Sequence, residues 1–127
     1  MHANIVFETI KLETGLQKLF KSSELKISCV GGGPGSDLLG VYKYIVHRQT
    51  IKPNDSMPNM TFHLLDKEDS WGESWSDVDA MTKSAISSST MFRIIDVCDQ
   101  KSWEKHKKFL QADLFTFVYF FFRNFFI

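Results

Sequence analysis

The chain has 127 residues, enough for one domain with a single core, and Lys+Arg balance Asp+Glu at 15 each. A formal net charge of +0 excludes a global electrostatic attraction to nucleic acid or anionic membranes, although local patches stay open. A hydrophobic fraction of 43% and a charged fraction of 24% are typical of a globular protein.

Neither the first residues nor the apolar stretches predict secretion or a membrane span. The chain begins MHANIVFETIKLE, without a basic start and an apolar core, so we expect no signal peptide. Cys29 and Cys98 are far apart and lack CxxC spacing, which favours reduced thiols and a cytoplasmic or nuclear location. The stretch Leu114–Phe122 is nine residues long before Arg123, whereas a spanning helix needs about 20 apolar residues. It therefore predicts a buried strand.

The first half of the chain is predicted to fold as helix, strand and helix. Apolar residues recur at helical spacing from Asn4 to Phe20, which predicts an amphipathic helix. Lys26–Val30 (KISCV) is a short apolar run that ends in glycine, as buried strands do. Ser36 is expected to cap the next helix, with Asp37 in its first turn. The polar segment Lys52–Asn59 holds two prolines and predicts a surface loop.

The middle of the chain continues this alternation. Met60–Asp66 predicts a second strand that ends in an acid, followed by a Trp-rich connection, Asp69–Ser76. Ser76 is expected to cap a helix from Asp77 to about Ser87. A loop and a third strand, Phe92–Val97, follow.

A lysine-bearing helix, Asp99–Leu110, and a fourth strand from Leu114 to about Phe120 complete the pattern. One helix, then strand and helix three times, then a strand, predicts an α/β fold. We expect a doubly wound, Rossmann-like, mostly parallel sheet with helices on both faces and about four strands. All of this lies in one domain, residues 1–127.

The turn GGGPG, residues 31–35, lies between the first strand and the next helix. Glycine adopts positive φ and lets a ligand approach the backbone, while the helix start offers free N–H groups. A tight turn without a ligand needs fewer glycines, so this turn predicts ligand binding.

The stretch VGGGPGSD resembles motif I of the class I S-adenosylmethionine-dependent methyltransferases. Gly31, Gly33 and Gly35 match its GxGxG pattern, and the resemblance implies that they pass the methionine and ribose portion of the cofactor. That family usually has an acid two residues before the first glycine, where this chain has Cys29. Asp37 could supply an acid from the helix start, or could serve only the helix dipole.

Three later segments resemble the family in order. Asp66 closes the second strand, where the family has an acid that binds the ribose hydroxyls. Phe92–Asp99 (FRIIDVCD) resembles the third-strand motif, so Asp96 or Asp99 would lie near the adenine. Ala112–Phe120 (ADLFTFVYF) resembles the fourth strand.

The resemblance implies S-adenosylmethionine as cofactor and in-line attack by an acceptor nucleophile on its methyl group, with the protein positioning the reactants. The acceptor and the catalytic residues cannot be read from the sequence, although some family members with a GGGPG-type motif act on RNA. The family fold continues beyond a fourth strand. We therefore expect a truncated domain that does not catalyse methyl transfer alone.

Two other functions stay open. The aromatic strand from Leu114 to Phe120 would form an exposed edge, which would suit a non-catalytic interaction module that self-associates or binds a partner. An NAD(P)- or FAD-dependent oxidoreductase fragment is the other alternative. Against it, Ser36 occupies the third glycine position of GxGxxG, and Asp66 lies 31 residues beyond Gly35 instead of about 20 beyond the fingerprint.

Several further residues are interpreted as structural. The Trp-rich connection is expected to place its indoles partly against the sheet. The histidines show no metal-ligand spacing, and we predict no metal site. A solvated helix surface is expected for four lysines: Lys101, Lys105, Lys107 and Lys108.

Overall fold

A computed structural model of the chain describes residues 2–31, 35–67, 71–82, 88–96 and 98–117. Helices and strands alternate along these residues. The elements, in chain order, are α1 (His2–Leu12), α2 (Thr14–Leu19), β1 (Glu24–Val30), α3 (Ser36–Ile51), β2 (Asn59–Asp66), α4 (Trp71–Thr82), β3 (Ser88–Ile94), α5 (Gln100–Glu104) and β4 (Leu114–Thr116). A 3₁₀ turn, Lys107–Gln111, lies between α5 and β4.

The described strands form one four-stranded sheet in the order β3-β2-β1-β4, and every pair is parallel. β1 pairs along its whole length with β2, from Glu24 opposite Asn59 to Val30 opposite Leu65. The predicted α/β, doubly wound class is confirmed. The dinucleotide-binding fold also contains this strand order, so the order does not identify the function of the chain.

Helices cover both faces of the sheet. On one face, buried residues of α1, α3 and α4 pack on β1 and β2. This larger core comprises Val6, Ile10, Phe20, Leu25, Ile27, Cys29, Leu38, Val41, Tyr44, Ile45, Met60, Phe62, Leu64 and Trp75. On the opposite face, Val30, Leu65 and Ile95 form a smaller core against Trp103 of α5 and Phe115 of β4. The alternation of inward and outward side chains along β2 supplies residues to both cores.

The predicted first helix is divided at Glu13, whose backbone is extended at φ −108° and ψ 108°. Gly15 is a weak helix former just after the break. The side chain of Gln17 folds back and donates to the carbonyls of Ile10 (3.1 Å) and Lys11 (2.8 Å). These bonds satisfy carbonyl groups at the end of α1, so the break leaves them paired.

Two predicted helix caps are wrong. Gly35, at φ +89°, is the N-cap of α3, and Ser36 is its first helical residue. Ser76 lies inside α4, which begins at Trp71 within the predicted Trp-rich connection. Trp71, Trp75 and Val78 recur at helical spacing, and this pattern extends the helix toward its N-terminus.

The last elements also differ from their predicted bounds. β3 begins at Ser88 because Ser88 to Thr90 pair with Met60 to Phe62 of β2, and this pairing overrides the low strand propensity of serine. The predicted helix Asp99–Leu110 is interrupted: α5 ends at Glu104, and a 3₁₀ turn follows from Lys107. β4 is described as Leu114–Thr116, and residues 118–120 of the predicted strand lie outside the described residues.

Candidate functional site

The carboxyl ends of β1, β2 and β3 meet at one edge of the sheet, because the strands are parallel. Backbone pairing continues past the strand ends. The N–H of Gly31 donates to the carbonyl of Leu65 at 2.6 Å, and the N–H of Ile95 donates to the carbonyl of Asp66 at 3.0 Å. The structure therefore brings Gly31, Asp66 and the segment leading to Asp96 to one edge, which is where doubly wound folds bind ligands.

The glycine turn uses positive φ at both described ends. Gly31 has φ +61° and Gly35 has φ +89°, a region that L side chains rarely adopt. Gly33, the middle glycine of the predicted motif, lies outside the described residues. The two described glycines of the motif thus provide the backbone freedom that the sequence predicts.

Packing supplies a second reason for glycine at position 35. A Cβ built on Gly35 would lie 2.9 Å from Cε3 of Trp75, whose side chain is buried. Trp71 is half-buried, as predicted, whereas Trp75 is buried more completely than predicted, at 3% exposed. The Trp75 ring therefore fills the space against this glycine.

The three predicted acids have different surroundings. Asp66 ends β2 and is 1% exposed. Asp96 is half-buried, and its Oδ1 accepts from the N–H of Cys98 at 3.0 Å. Asp99 is exposed and caps α5, with Oδ1 accepting from the N–H of Lys101 at 3.1 Å. Asp66 lies at the end of β2 and Asp96 lies two residues beyond the end of β3, whereas the carboxylate of Asp99 caps α5.

A buried polar cluster that was missed in the sequence lies beside this edge, between β1 and β4. Thr116 Oγ1 donates to Asp37 Oδ2 at 2.5 Å, and Cys29 is the register partner of Thr116. The other carboxylate oxygen of Asp37, Oδ1, is buried and has no hydrogen-bond partner among the described residues. An unpaired buried oxygen is costly, and it marks a place where a donor group would be stabilised.

Burial sets the protonation of this cluster. Desolvation raises the pKa of Asp37 from 3.8 to about 6, although the hydrogen bond from Thr116 opposes the shift. Burial also raises the pKa of the Cys29 thiol, and the nearby Asp37 charge raises it further. Cys29 is therefore a neutral thiol and is not a nucleophile in this state.

The sequence does contain a signal for the buried position of Asp37. Asp37 precedes Val41 by four residues and Tyr44 by seven, and both are buried on α3. This spacing places Asp37 on the apolar stripe of the helix. The acid was interpreted from its place in the first turn, where it could equally have faced solvent.

The described residues contain neither a membrane-spanning helix nor a cluster of metal ligands. None of their helices is long and apolar enough to cross a membrane. Within the same residues, no group of three or more His, Cys, Asp or Glu side chains could hold a metal ion.

Two comparisons with known proteins give no match. No model of a known protein family matches the sequence, and a search of curated proteins finds no significant match. The class of protein is therefore defined by the fold: a parallel, doubly wound α/β domain with a glycine turn and buried acids at the carboxyl edge of its sheet.

Proposed function

We propose that this chain is an S-adenosylmethionine-binding, methyltransferase-like domain. One juxtaposition carries the proposal: Gly31, at positive φ after β1, is hydrogen-bonded to the residue that precedes Asp66 at the end of β2. A ligand that passes over the glycine turn would reach the carboxyl end of β2, where Asp66 lies. The cofactor of the resembled family needs this combination, a close backbone approach and an acid for the ribose hydroxyls.

Asp37 adds support, because it supplies the acid that Cys29 does not. Its unpaired Oδ1 is buried at the first turn of α3, beside the carboxyl end of β1. A bound molecule with an ammonium group would give this oxygen a donor. We assign Gly31, Gly33 and Gly35 to the methionine and ribose portion, Asp66 to the ribose, and Asp96 or Asp99 to the adenine, while the acceptor remains unassigned and RNA is one class to test.

The decisive experiment is isothermal titration calorimetry of the purified chain with S-adenosylmethionine, S-adenosylhomocysteine and NADH. We expect the two sulfur compounds to bind and NADH not to bind. Asp66→Asn should weaken binding of S-adenosylhomocysteine at least tenfold, since a carboxylate hydrogen bond contributes about 1.5–3 kcal/mol.

The matched control is Asp77→Asn, because Asp77 is an exposed acid on α4. It should leave the affinity unchanged. Circular dichroism of each variant distinguishes loss of binding from loss of fold. A folded wild-type chain that binds none of the three compounds would refute the proposal, and binding of NADH alone would favour the oxidoreductase fragment.

A second candidate function, a non-catalytic interaction module, is favoured by the edge strand β4. Phe115 and Phe117 stack with ring centroids 6.4 Å apart, and Phe117 is 39% exposed. An apolar cavity of about 150 Å³ lies beside them, between β4 and α1. An apolar edge strand of this kind is open to pairing with another chain.

Sedimentation velocity over a range of concentrations tests this candidate. If the edge associates, Phe117→Lys should reduce self-association, because a charge on the edge opposes pairing. Leu12→Lys is the control, since Leu12 of α1 is 79% exposed and lies outside that cavity. A wild-type chain that stays monomeric at all concentrations would exclude self-association through β4.

A further inference from the structure

A second cavity, separate from the glycine turn, lies on the face of the sheet that carries the smaller core. Its volume is about 350 Å³, and it is enclosed by β2, β3 and the turn that follows α5. Six of its lining residues are basic or imidazole side chains: His63, Arg93, Lys105, His106, Lys107 and Lys108. Gly31, Gly35 and Asp66 are not among its lining residues.

The charge around this cavity is one-sided. The whole chain has 15 basic and 15 acidic residues, yet no acid is found among the described residues that line the cavity. The four cations that line it form no ion pair with a carboxylate of the described residues. The guanidinium of Arg93 donates only to the Phe92 carbonyl (3.1 Å) and the Met91 sulfur (3.5 Å) among these residues. Within the described residues, most of its five N–H donors therefore have no acceptor and could bind an anion.

His63 responds to this positive environment. It is half-buried on β2, and burial lowers its pKa, with further lowering by the charges of Arg93, Lys26 and Lys108. His106, Lys105 and Lys107 also line the same cavity. The lowered pKa favours the neutral imidazole, which can donate one N–H to an anion.

The rest of the cavity wall is apolar. Leu65 and Ile95 are buried side chains of the smaller core, and Met91 lies beside Arg93. A bare phosphate ion would contact only the cationic side chains. The apolar wall can also contact an uncharged portion of a larger ligand. The volume falls within the range of about 300–1,000 Å³ that is usual for small-molecule sites.

We propose that this cavity binds the phosphate group of a small phosphorylated molecule. Arg93 offers a forked pair of donors, and the lysines of the turn after α5 complete the charge around the phosphate. The proposal does not depend on the proposed cofactor site, because the two sites have no residue in common.

The first test uses pyrophosphate as the probe, with calorimetry at low ionic strength. Arg93→Gln should weaken pyrophosphate binding at least tenfold, since it removes a charge-assisted fork of hydrogen bonds. Lys101→Gln is the matched control, because Lys101 is an exposed lysine of α5 that does not line the cavity. It should change the affinity less than twofold. Absence of millimolar binding by the folded wild-type chain, or equal binding by Arg93→Gln, would overturn the proposal.

A second variant keeps the test valid if Arg93→Gln does not fold. Lys108→Gln changes an exposed side chain at the same cavity and should also weaken pyrophosphate binding, by about threefold or more. If Arg93→Gln does not fold and Lys108→Gln binds pyrophosphate as tightly as the wild type does, the proposal is wrong.

A third arm distinguishes a small ligand from nucleic acid. Short single-stranded RNA oligonucleotides are titrated under the same conditions. If affinity rises with oligonucleotide length and Lys101→Gln weakens binding as much as Lys108→Gln does, the surface binds a phosphate backbone, and the small-molecule class is overturned. Pyrophosphate binding that depends on Arg93 but is not exceeded by the oligonucleotides supports the proposal.

Discussion

A buried carboxyl group prefers its protonated form, and Asp37 makes this preference measurable. Its pKa is raised to about 6 in the folded chain from an ordinary value of 3.8. The folded state therefore binds the proton more tightly than the unfolded state does, so this group's contribution to stability is full below pH 3.8 and is lost as pH rises through 6. The shift corresponds to roughly 3 kcal/mol.

Asp37→Asn should remove this pH dependence. Between pH 4 and pH 8, the free energy of unfolding of the wild type should fall by about 2–3 kcal/mol relative to the variant. Urea unfolding at both pH values, followed by circular dichroism, measures the difference. Parallel pH profiles for the two proteins would mean that Asp37 is hydrated in solution.

The backbone conformation and packing of Gly35 lead to a second prediction. Gly35→Ala places a side chain at φ +89° and against the Trp75 ring, 2.9 Å away. Backbone strain and crowding together should reduce the free energy of unfolding by about 2–4 kcal/mol.

Gly15→Ala is the control for this prediction, because a Cβ at Gly15 would meet nothing within 4 Å. In α2 it should be neutral or stabilise the chain by up to about 1 kcal/mol. If both alanine variants unfold at the same urea concentration, the contact between Trp75 and position 35 is not formed in solution.

Among the elements, β4 is attached to the sheet by a short backbone pairing. Its described part pairs with only three residues of β1. Asp113 extends this attachment: its N–H donates to the Lys26 carbonyl at 2.8 Å, and its Oδ2 accepts from the Lys26 N–H at 2.8 Å. The side chain thus continues a strand pairing that the backbone alone would end.

Asp113→Ala should therefore loosen β4 selectively. The loss of one hydrogen bond should lower protection of β4 amides by about 1 kcal/mol, while β2 amides keep theirs. Native-state hydrogen exchange measures both sets in one experiment, with Asp77→Ala as the control. Equal loss of protection in β2 and β4 would show that the sheet opens as one unit.

The strands that sequence patterning predicted best are those with a strong apolar signal of their own. β1 and β2 were predicted within two residues of their bounds because KISCV and MTFHLLD are apolar. The start of β3 was missed because Ser88 to Thr90 become a strand only through pairing with β2, which is information from elsewhere in the chain. The start of α4 was readable from the spacing of its tryptophans, but was interpreted as a loop.

The candidate site shows the same limit. The sequence placed the glycine turn and Asp66 at strand ends, because parallel strands fix that edge once the alternation is recognised. It did not predict that Asp37 would contact Thr116, since β4 reaches β1 only through the sheet order. The contact between Trp75 and Gly35 could not be predicted either, because it joins helix α4 to the turn before α3.

At the scale of the whole molecule, the described residues cover the two faces of the sheet unequally. Among them, one face carries the larger core beneath α1, α3 and α4, whereas the other carries three buried residues beside the short helix α5. The cost of a cavity depends on how far its surroundings can collapse. A side chain lost beneath long, closely packed helices should therefore leave more empty space than one lost beneath α5.

Two consecutive residues of β2 test this inequality. Leu64 is 0% exposed in the larger core, and Leu65 is 1% exposed in the smaller one. Leu64→Ala should lower the free energy of unfolding by about 4–5 kcal/mol, near the upper end for such changes, and Leu65→Ala by about 2–3 kcal/mol. Urea unfolding of both variants measures the difference. The comparison is matched, because both residues are leucines of the same strand and both are buried. If Leu65→Ala lowers the free energy of unfolding more than Leu64→Ala does, α5 covers its face of the sheet as firmly as the longer helices cover the other face. The basic cavity beside α5 would then be rigid.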